Sequence, residues 1–281
     1  MIVTGDDFGL SIPVNEAITK AHQKGILTTA SLMVAAPAVA DAIARAKSLP
    51  TLNVGLHLVL ANGRPCLPAE KIPDLLNAQG EFPSNQVASG IKIFFLAKVR
   101  RQIEAEIRAQ FEAFKQTGLR LDHVNTHKHM HLHPTVLEMI IRIGKDYDVK
   151  AIRLPNEPLL DALIKDRKEK IRRHAQRLFL KPWVTRMKKR LQENGIRNNE
   201  YIYGIYDSGH MHIETVIRIL AHLPDGLTEI YSHPATERWD DIDPAANDYE
   251  FEAEYKALIH NRTKQAIDKF SIELAGFNRV S

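Results

Sequence analysis

Apolar positions along the chain fall into two spacings that alternate from end to end. Ile2-Val3-Thr4, residues 27–34, Asn53-Val54-Gly55-Leu56-His57-Leu58, the stretch leading into His127, Ala151-Ile152-Arg153-Leu154-Pro155, residues 201–205 and residues 227–234 are short runs of small, branched and apolar residues, which read as buried strands. Between them the spacing becomes helical. Val14, Ala17, Ile18 and Ala21 precede Gly25, residues 38–47 supply another helix, and Ile103, Ile107, Phe111 and Phe114 recur at steps of four, four and three before Gly118. Further helices are predicted from Pro134 through Ile143, over residues 213–222 and over residues 248–270. Residues 62–90 carry four prolines and three glycines and read as a long loop excursion.

Strands alternating with helices predict a mainly parallel sheet, and seven strand candidates favour an irregular, distorted (β/α) barrel over an open sheet. The 281 residues, 44% hydrophobic and 26% charged, suit one catalytic domain spanning 1–281, with a basic helical excursion at about 160–198. No apolar run approaches a membrane span and no signal-peptide pattern opens the chain, so a cytoplasmic protein is expected. The single Cys66 forms no internal disulfide.

Net charge is +4, but its distribution says more than its sum. Residues 165–190 hold twelve Lys or Arg against Asp166 and Glu169, a surplus of ten that exceeds the whole chain's charge and leaves the remainder net acidic. Leu178-Phe179-Leu180, Trp183 and Val184 lie among these cations, as in a helix resting on an anionic bilayer; a solvated helix that only keeps the protein soluble is the plainer alternative. Clustered cations also suit nucleic-acid phosphates, although few aromatic residues are there to stack on bases.

Candidate chemistry is concentrated in residues 122–134, where five of thirteen histidines occupy eleven positions. Imidazole is the commonest catalytic metal ligand and titrates near neutrality. Asp6-Asp7 closes the first strand, His57 the third, His127 the fourth and His233 the last. Asp7, His57 and His127 make a facial set of two imidazoles and one carboxylate, which leaves metal positions open for water and substrate. Beside it Asp6 could accept a proton from water and His233 could protonate a leaving amine. Taken singly, these residues have ordinary roles: aspartates favour turns, and a histidine in an apolar strand is as often a core residue as a ligand. His129 and His131 are candidates for substrate contacts or support of the ligands, and Arg153 for an anionic group; His123 and His133 fit structural roles. A metal-dependent phosphoesterase would use similar ligands.

Asp6-Asp7-Phe8-Gly9, Gly55-Leu56-His57-Leu58, Asn125-Thr126-His127-Lys128-His129-Met130-His131 and Ser232-His233-Pro234-Ala235, in this order, resemble the motifs of the YdjC-like carbohydrate deacetylases. Residues 30–34, 55–60, Lys181-Pro182-Trp183 and 225–231 resemble the hopanoid biosynthesis-associated branch in particular. The resemblance implies a seven-stranded barrel of the polysaccharide-deacetylase type. It also implies one divalent metal, Mg2+ or Zn2+, on Asp7, His57 and His127, with Asp6 as base and His233 in the site. The implied substrate is an N-acetylglucosamine-type sugar on a hopanoid lipid, with soluble chito-oligosaccharides as the alternative. Expected partners are that sugar or glycolipid, the inner membrane face through residues 165–190, and a second copy in a homodimer; nucleic acid is not expected. Gly5 stands where the family commonly has alanine, which is expected to loosen the corner before the two acids.

Overall fold

The computed structural model describes residues 1–164 and 166–279; Lys165, the first cation of the basic stretch, lies outside the described residues. Strands β1 (Ile2–Phe8), β2 (Thr29–Leu32), β3 (Asn53–Leu58), β4 (Leu121–Thr126), β5 (Tyr201–Tyr203) and β6 (Thr228–Ser232) form one all-parallel sheet in the order β4-β3-β2-β1-β6-β5. Parallel strands covered on both faces need near-continuous apolar runs, and β1, β2 and β6 are buried at every position.

Among the described residues the ladder has six strands where seven were expected. Residues 151–155 do not form the seventh, because they touch their neighbours only through isolated bridges, Val124 with Ile152 and Ala151 with Arg197. Their backbone is nevertheless occupied. Arg153 N donates to Val124 O on β4, and Ile202 N of β5 donates to Asn156 O, so this irregular segment joins the two outer strands of the curled sheet. The Asn199 side chain accepts from Leu154 N at 2.7 Å and donates to Leu154 O at 2.8 Å, replacing the ladder bonds a regular strand would make.

Helices α1 (Ile12–Lys24), α2 (Val39–Ser48), α3 (Gln86–Phe95), α4 (Ala97–Gln116), α5 (Pro134–Gly144), α6 (Arg167–Glu193), α7 (Ile213–Leu220), α8 (Phe251–Ile259) and α9 (Asn261–Lys269) connect and cover the strands. Ser11 caps α1 by accepting from Val14 N, and Pro134 opens α5 at the first turn, where its missing N–H costs nothing. The predicted α4 stripe is buried as expected, and each fully buried Ile or Phe contributes about 1.5–3 kcal/mol. Polar residues on the same helix tie down the loop excursion. Glu106 accepts from Cys66 N at 2.7 Å and Leu67 N at 3.0 Å, while Gln110 bonds both N and O of Val59.

Three boundaries differ from the sequence expectation. The excursion from residue 62 ends in helix α3, capped by Asn85, whose side chain accepts from Ala88 N. The single helix expected over 248–270 is two helices, broken at His260, whose extended backbone begins α9 while its ring accepts from Arg262 N. Strand β1 runs past Gly5 to Phe8, with the register broken between those two residues. Gly5 does not loosen the corner. It lies inside the strand, where an added Cβ would stand 2.8 Å from Ile18 Cγ1, so its role is to let α1 approach the sheet. No helix among the described residues is long and apolar enough to cross a membrane.

Candidate active site at the carboxyl ends of the strands

The break in β1 falls on Asp6-Asp7. Asp7 has φ 62°, a left-handed conformation that aspartate tolerates better than most residues and that accumulates at functional sites. This kink turns consecutive carboxylates to different surroundings. Asp7 meets His57 from β3 and His127 from the turn after β4: its Oδ1 lies 3.3 Å from His57 Nε2 and 3.1 Å from His127 Nδ1. One ligand atom from each of the three residues falls within 4.8 Å of the others, and the two rings stand edge-on at 5.6 Å. Burial opposes ionisation of Asp7, but His127 and His57 hold its carboxyl well below the usual range.

Asp6 points instead to Arg153. Arg153 Nη1 donates to Asp6 Oδ2 at 2.6 Å and Nη2 to Oδ1 at 2.9 Å, while Nε and Nη2 donate to the Glu229 carboxylate at 3.0 and 2.7 Å. Thr4 Oγ1 also donates to Glu229, at 2.6 Å. Burial pushes the Asp6 carboxyl up, yet the Arg153 charge and its paired hydrogen bonds outweigh this and hold it below its ordinary value. Arg153 itself has no exposed surface, and its guanidinium lies 4.7 Å over the Tyr231 ring. The expectation that it meets an anionic substrate is corrected: its donors are spent on two buried carboxylates, and its place is beneath Asp6.

Asn125, level with His57 in the β3–β4 register, links the two carboxylate environments. With its amide nitrogen donating to His57 Nδ1 at 2.6 Å, its oxygen accepts from Ser31 Oγ at 2.9 Å and from both Arg153 terminal nitrogens at 2.9 and 3.0 Å. A metal on His57 Nε2 requires the reverse orientation, with the amide oxygen accepting from Nδ1–H and the nitrogen donating to Ser31 Oγ at 2.9 Å and Asp6 Oδ1 at 3.4 Å. With that tautomer, the Asp7, His57 and His127 atoms converge as a carboxylate and two neutral imidazoles, a donor set that fits a divalent transition metal or magnesium.

The histidine turn separates into open and sealed positions. His127 and His129 are half-buried, and His129 Nε2 lies 3.2 Å from Tyr231 Oη while its Nδ1 has no hydrogen-bond partner. Lys128 and His129 both have positive φ, the local distortion that packs so many rings into one turn. His131 is fully buried, with Nδ1 2.6 Å from Thr126 Oγ1 and Nε2 3.1 Å from Arg153 O; burial takes its ring down to about 3. It therefore braces the wall and does not face a substrate. His123 stacks on Phe277 at 4.5 Å beneath Gly55, where a Cβ would come within 2.3 Å of the ring, and His133 bonds Gly90 O on α3.

His233 follows β6 and stands between the rings of Tyr231 and Tyr249, at 5.6 and 5.3 Å. Its backbone N donates to Glu254 Oε2 at 2.5 Å, and its Nδ1 has no hydrogen-bond partner. Burial lowers its pKa, against the pull of Asp7 and Asp6. Above the turn, Asp243 from the acidic loop is bonded by Asn62 and stands 3.7 Å from Lys128 Nζ. Asn125, Glu229, Tyr231 and Glu254 were not singled out from sequence. The available signal was Glu229, the one charge in a short strand-like run. A second group of ligand-type side chains, His210, His212 and Glu250, gathers before α8, but these are more exposed and their imidazole–carboxylate contacts of 3.2–3.6 Å need no ion.

Over all 281 residues the chain is 28% identical to a protein of Brevibacillus brevis described as a carbohydrate deacetylase, covering 99% of it. A Geobacillus stearothermophilus protein of the same description is 39% identical over 161 residues, 57% of this chain and 60% of that one. Among solved structures, a protein of Enterococcus faecalis described as a cellobiose-phosphate cleavage protein superposes with a TM-score of 0.72 over 98% of this chain and 96% of its own, at 22% identity, and so shares the fold. The strand-end carboxylates and histidines all fall within residues 1–269, which match the family model for YdjC-like proteins, and the chain belongs to the YdjC-like protein family.

Proposed function

We propose that this protein is a metal-dependent hydrolase that removes the N-acetyl group from an N-acetylglucosamine-type sugar, carried on a hopanoid glycolipid at the cytoplasmic membrane face. The observation that carries this is the convergence of Asp7, His57 and His127 within 4.8 Å beside a second carboxylate that stays ionised. Relatives described as carbohydrate deacetylases support the sugar and the reaction. Asp7, His57 and His127 are the residues that would hold the metal. When bound, a divalent ion supplies a Lewis acid and lowers the pKa of water towards ~7.

The chain's own groups do the rest. Asp6, held in place by Arg153, takes the proton from the attacking water as its oxygen adds to the acetyl carbon. His233 delivers a proton to the amide nitrogen as the C–N bond breaks, so that amide and water become acetate and a free amine. Its unpartnered Nδ1, between two tyrosine rings, supports this role. His129, with Tyr231 beside it, is proposed to meet the sugar.

The lipid part is supported by α6, whose Ile171, Leu178, Phe179 and Trp183 are 60%, 73%, 72% and 41% exposed among its cations. Mass spectrometry of N-acetylglucosaminyl lipids and chito-oligosaccharides after incubation with metal-loaded protein tests both substrates through loss of one acetyl group. Chelator is expected to abolish turnover, and His127→Ala to lower it by about 100-fold or more. Full activity in both Asp6→Asn and His127→Ala would falsify the mechanism.

A further inference from the structure

Helix α3 carries an uncovered apolar stripe. Val87, Ile91, Phe94 and Phe95 follow helical spacing of four, three and one and are 74%, 55%, 51% and 71% exposed, and Leu96 extends the stripe at 49%. Single exposed apolar residues are ordinary, but five in the ten positions from Val87 to Leu96 mark an interaction surface. The opposite side is anchored. Ile93 is buried and Gly90 O accepts from His133, while Phe94, at the edge of the stripe, meets the same ring edge-on at 6.1 Å. The helix is therefore fixed to the histidine turn with its apolar stripe facing out.

Charge identifies the occupant. From Phe82 to Ile103 the sequence has no Asp or Glu, while Lys92, Lys98, Arg100 and Arg101 flank the stripe. Lys92 and Arg101 are exposed, Lys98 Nζ is paired with Asp74 at 2.9 Å, and Arg100 Nη1 donates to Phe94 O at 2.7 Å across the end of α3. Apolar residues bordered by cations match the hydrocarbon boundary and phosphates of an anionic bilayer. A second copy on a two-fold axis would bring these cations against their own equivalents. The neighbouring basic helix points the same way. Arg190 of α6 forks onto Glu138, one turn into α5, at 2.6 and 2.7 Å, while α3 rests on His133 at the start of that helix. Helix α3 and the last turns of α6 thus both reach α5, the helix that follows the histidine turn.

We infer that α3 inserts Val87, Ile91 and Phe95 into an anionic lipid surface, so that α3 and α6 together seat the mouth of the site on the membrane. This extends the membrane part of the proposed function, and vesicle binding, read separately from acetate release, keeps the two apart. The probe is flotation of the full chain with vesicles of phosphatidylcholine containing phosphatidylglycerol. Val87→Ser, Ile91→Ser and Phe95→Ser combined should weaken partitioning at least tenfold while leaving the melting temperature and turnover of a soluble N-acetylated oligosaccharide unchanged. In a Trp183→Phe background, Phe95→Trp should add fluorescence quenched by lipids brominated on the acyl chain, beyond any quenching of the remaining Trp239 in that background alone. Partitioning of the triple variant equal to wild type, absence of that added quenching, or conversion of a wild-type dimer to monomer with no vesicle binding would each overturn the inference. Vesicle binding through α3 without acetate release from any sugar would overturn the enzymatic proposal alone.

Discussion

The floor of the candidate site and the helical rim around it solve opposite problems. At the floor, Asp6, Arg153, Glu229, Asn125 and Thr4 are each less than a tenth exposed, and each charge has a partner within 3.0 Å. On the rim, α3 and α6 hold large apolar residues in water with nothing folded over them. Buried charges must be matched because an unpaired one costs several kcal/mol, whereas an exposed phenylalanine costs the fold almost nothing. A floor of this kind is built for rigidity. The rim contributes little to folding and is free to serve a partner.

The sharpest way to break this contrast is to remove the pin of the floor. Arg153→Ala leaves Asp6 and Glu229 buried without their cation and is expected to cost about 3–5 kcal/mol in urea unfolding. Arg153→Lys should recover only part of it, since a single ammonium cannot fork onto both carboxylates. A loss under 1 kcal/mol for Arg153→Ala would show that the floor tolerates unpaired charge.

A smaller effect appears with pH. Burial pushes Glu157 up to about 8, the charge of Asp207 adding to this and the amides of Tyr206 and Ile205 opposing it. The folded chain therefore keeps this proton between about 4.5, where the unfolded chain loses it, and about 8. The stability it contributes is present below that window and is lost as pH rises through it. Glu157→Gln has no proton to lose, so its melting temperature should gain on the wild type steadily from pH 5 to pH 8. A constant difference across that range would count against a protonated Glu157 in the folded chain.

The smallest effect belongs to the rim. Leu178→Ser with Phe179→Ser should change stability by less than about 0.5 kcal/mol each, because both side chains are more than 70% exposed. A large destabilisation would mean that α6 is packed in solution in a way the chain alone does not provide.

Much of the fold is legible in the order of residues, for a simple reason. A parallel sheet buried on both faces forces continuous apolar runs, and its helices carry their spacing openly, so β1, β3, β6, α1, α4 and α5 can be found from pattern alone. Pattern failed where side chains replace backbone bonding. The segment around Arg153 has the composition of a strand, but Asn199 and isolated bridges hold it in place of a ladder. Helix α3 was hidden because its first turn and Gly90 lie in the proline- and glycine-rich stretch that reads as loop.

The sequence by itself determined which chemistry is present: two adjacent carboxylates and histidines at the ends of separate strands, in the order of a known family. Only the tertiary structure decided what each group is free to do. A left-handed kink at Asp7 sends that carboxylate to two imidazoles, while its neighbour Asp6 goes to a buried guanidinium. His127 is left open and His131 is sealed by Thr126 and the Arg153 carbonyl, four residues apart in the same turn. The physical reason is that a side chain's charge and availability depend on which donors and acceptors surround it, and those arrive from β1, β4, β6 and the segment after α5, which meet only when the chain has folded.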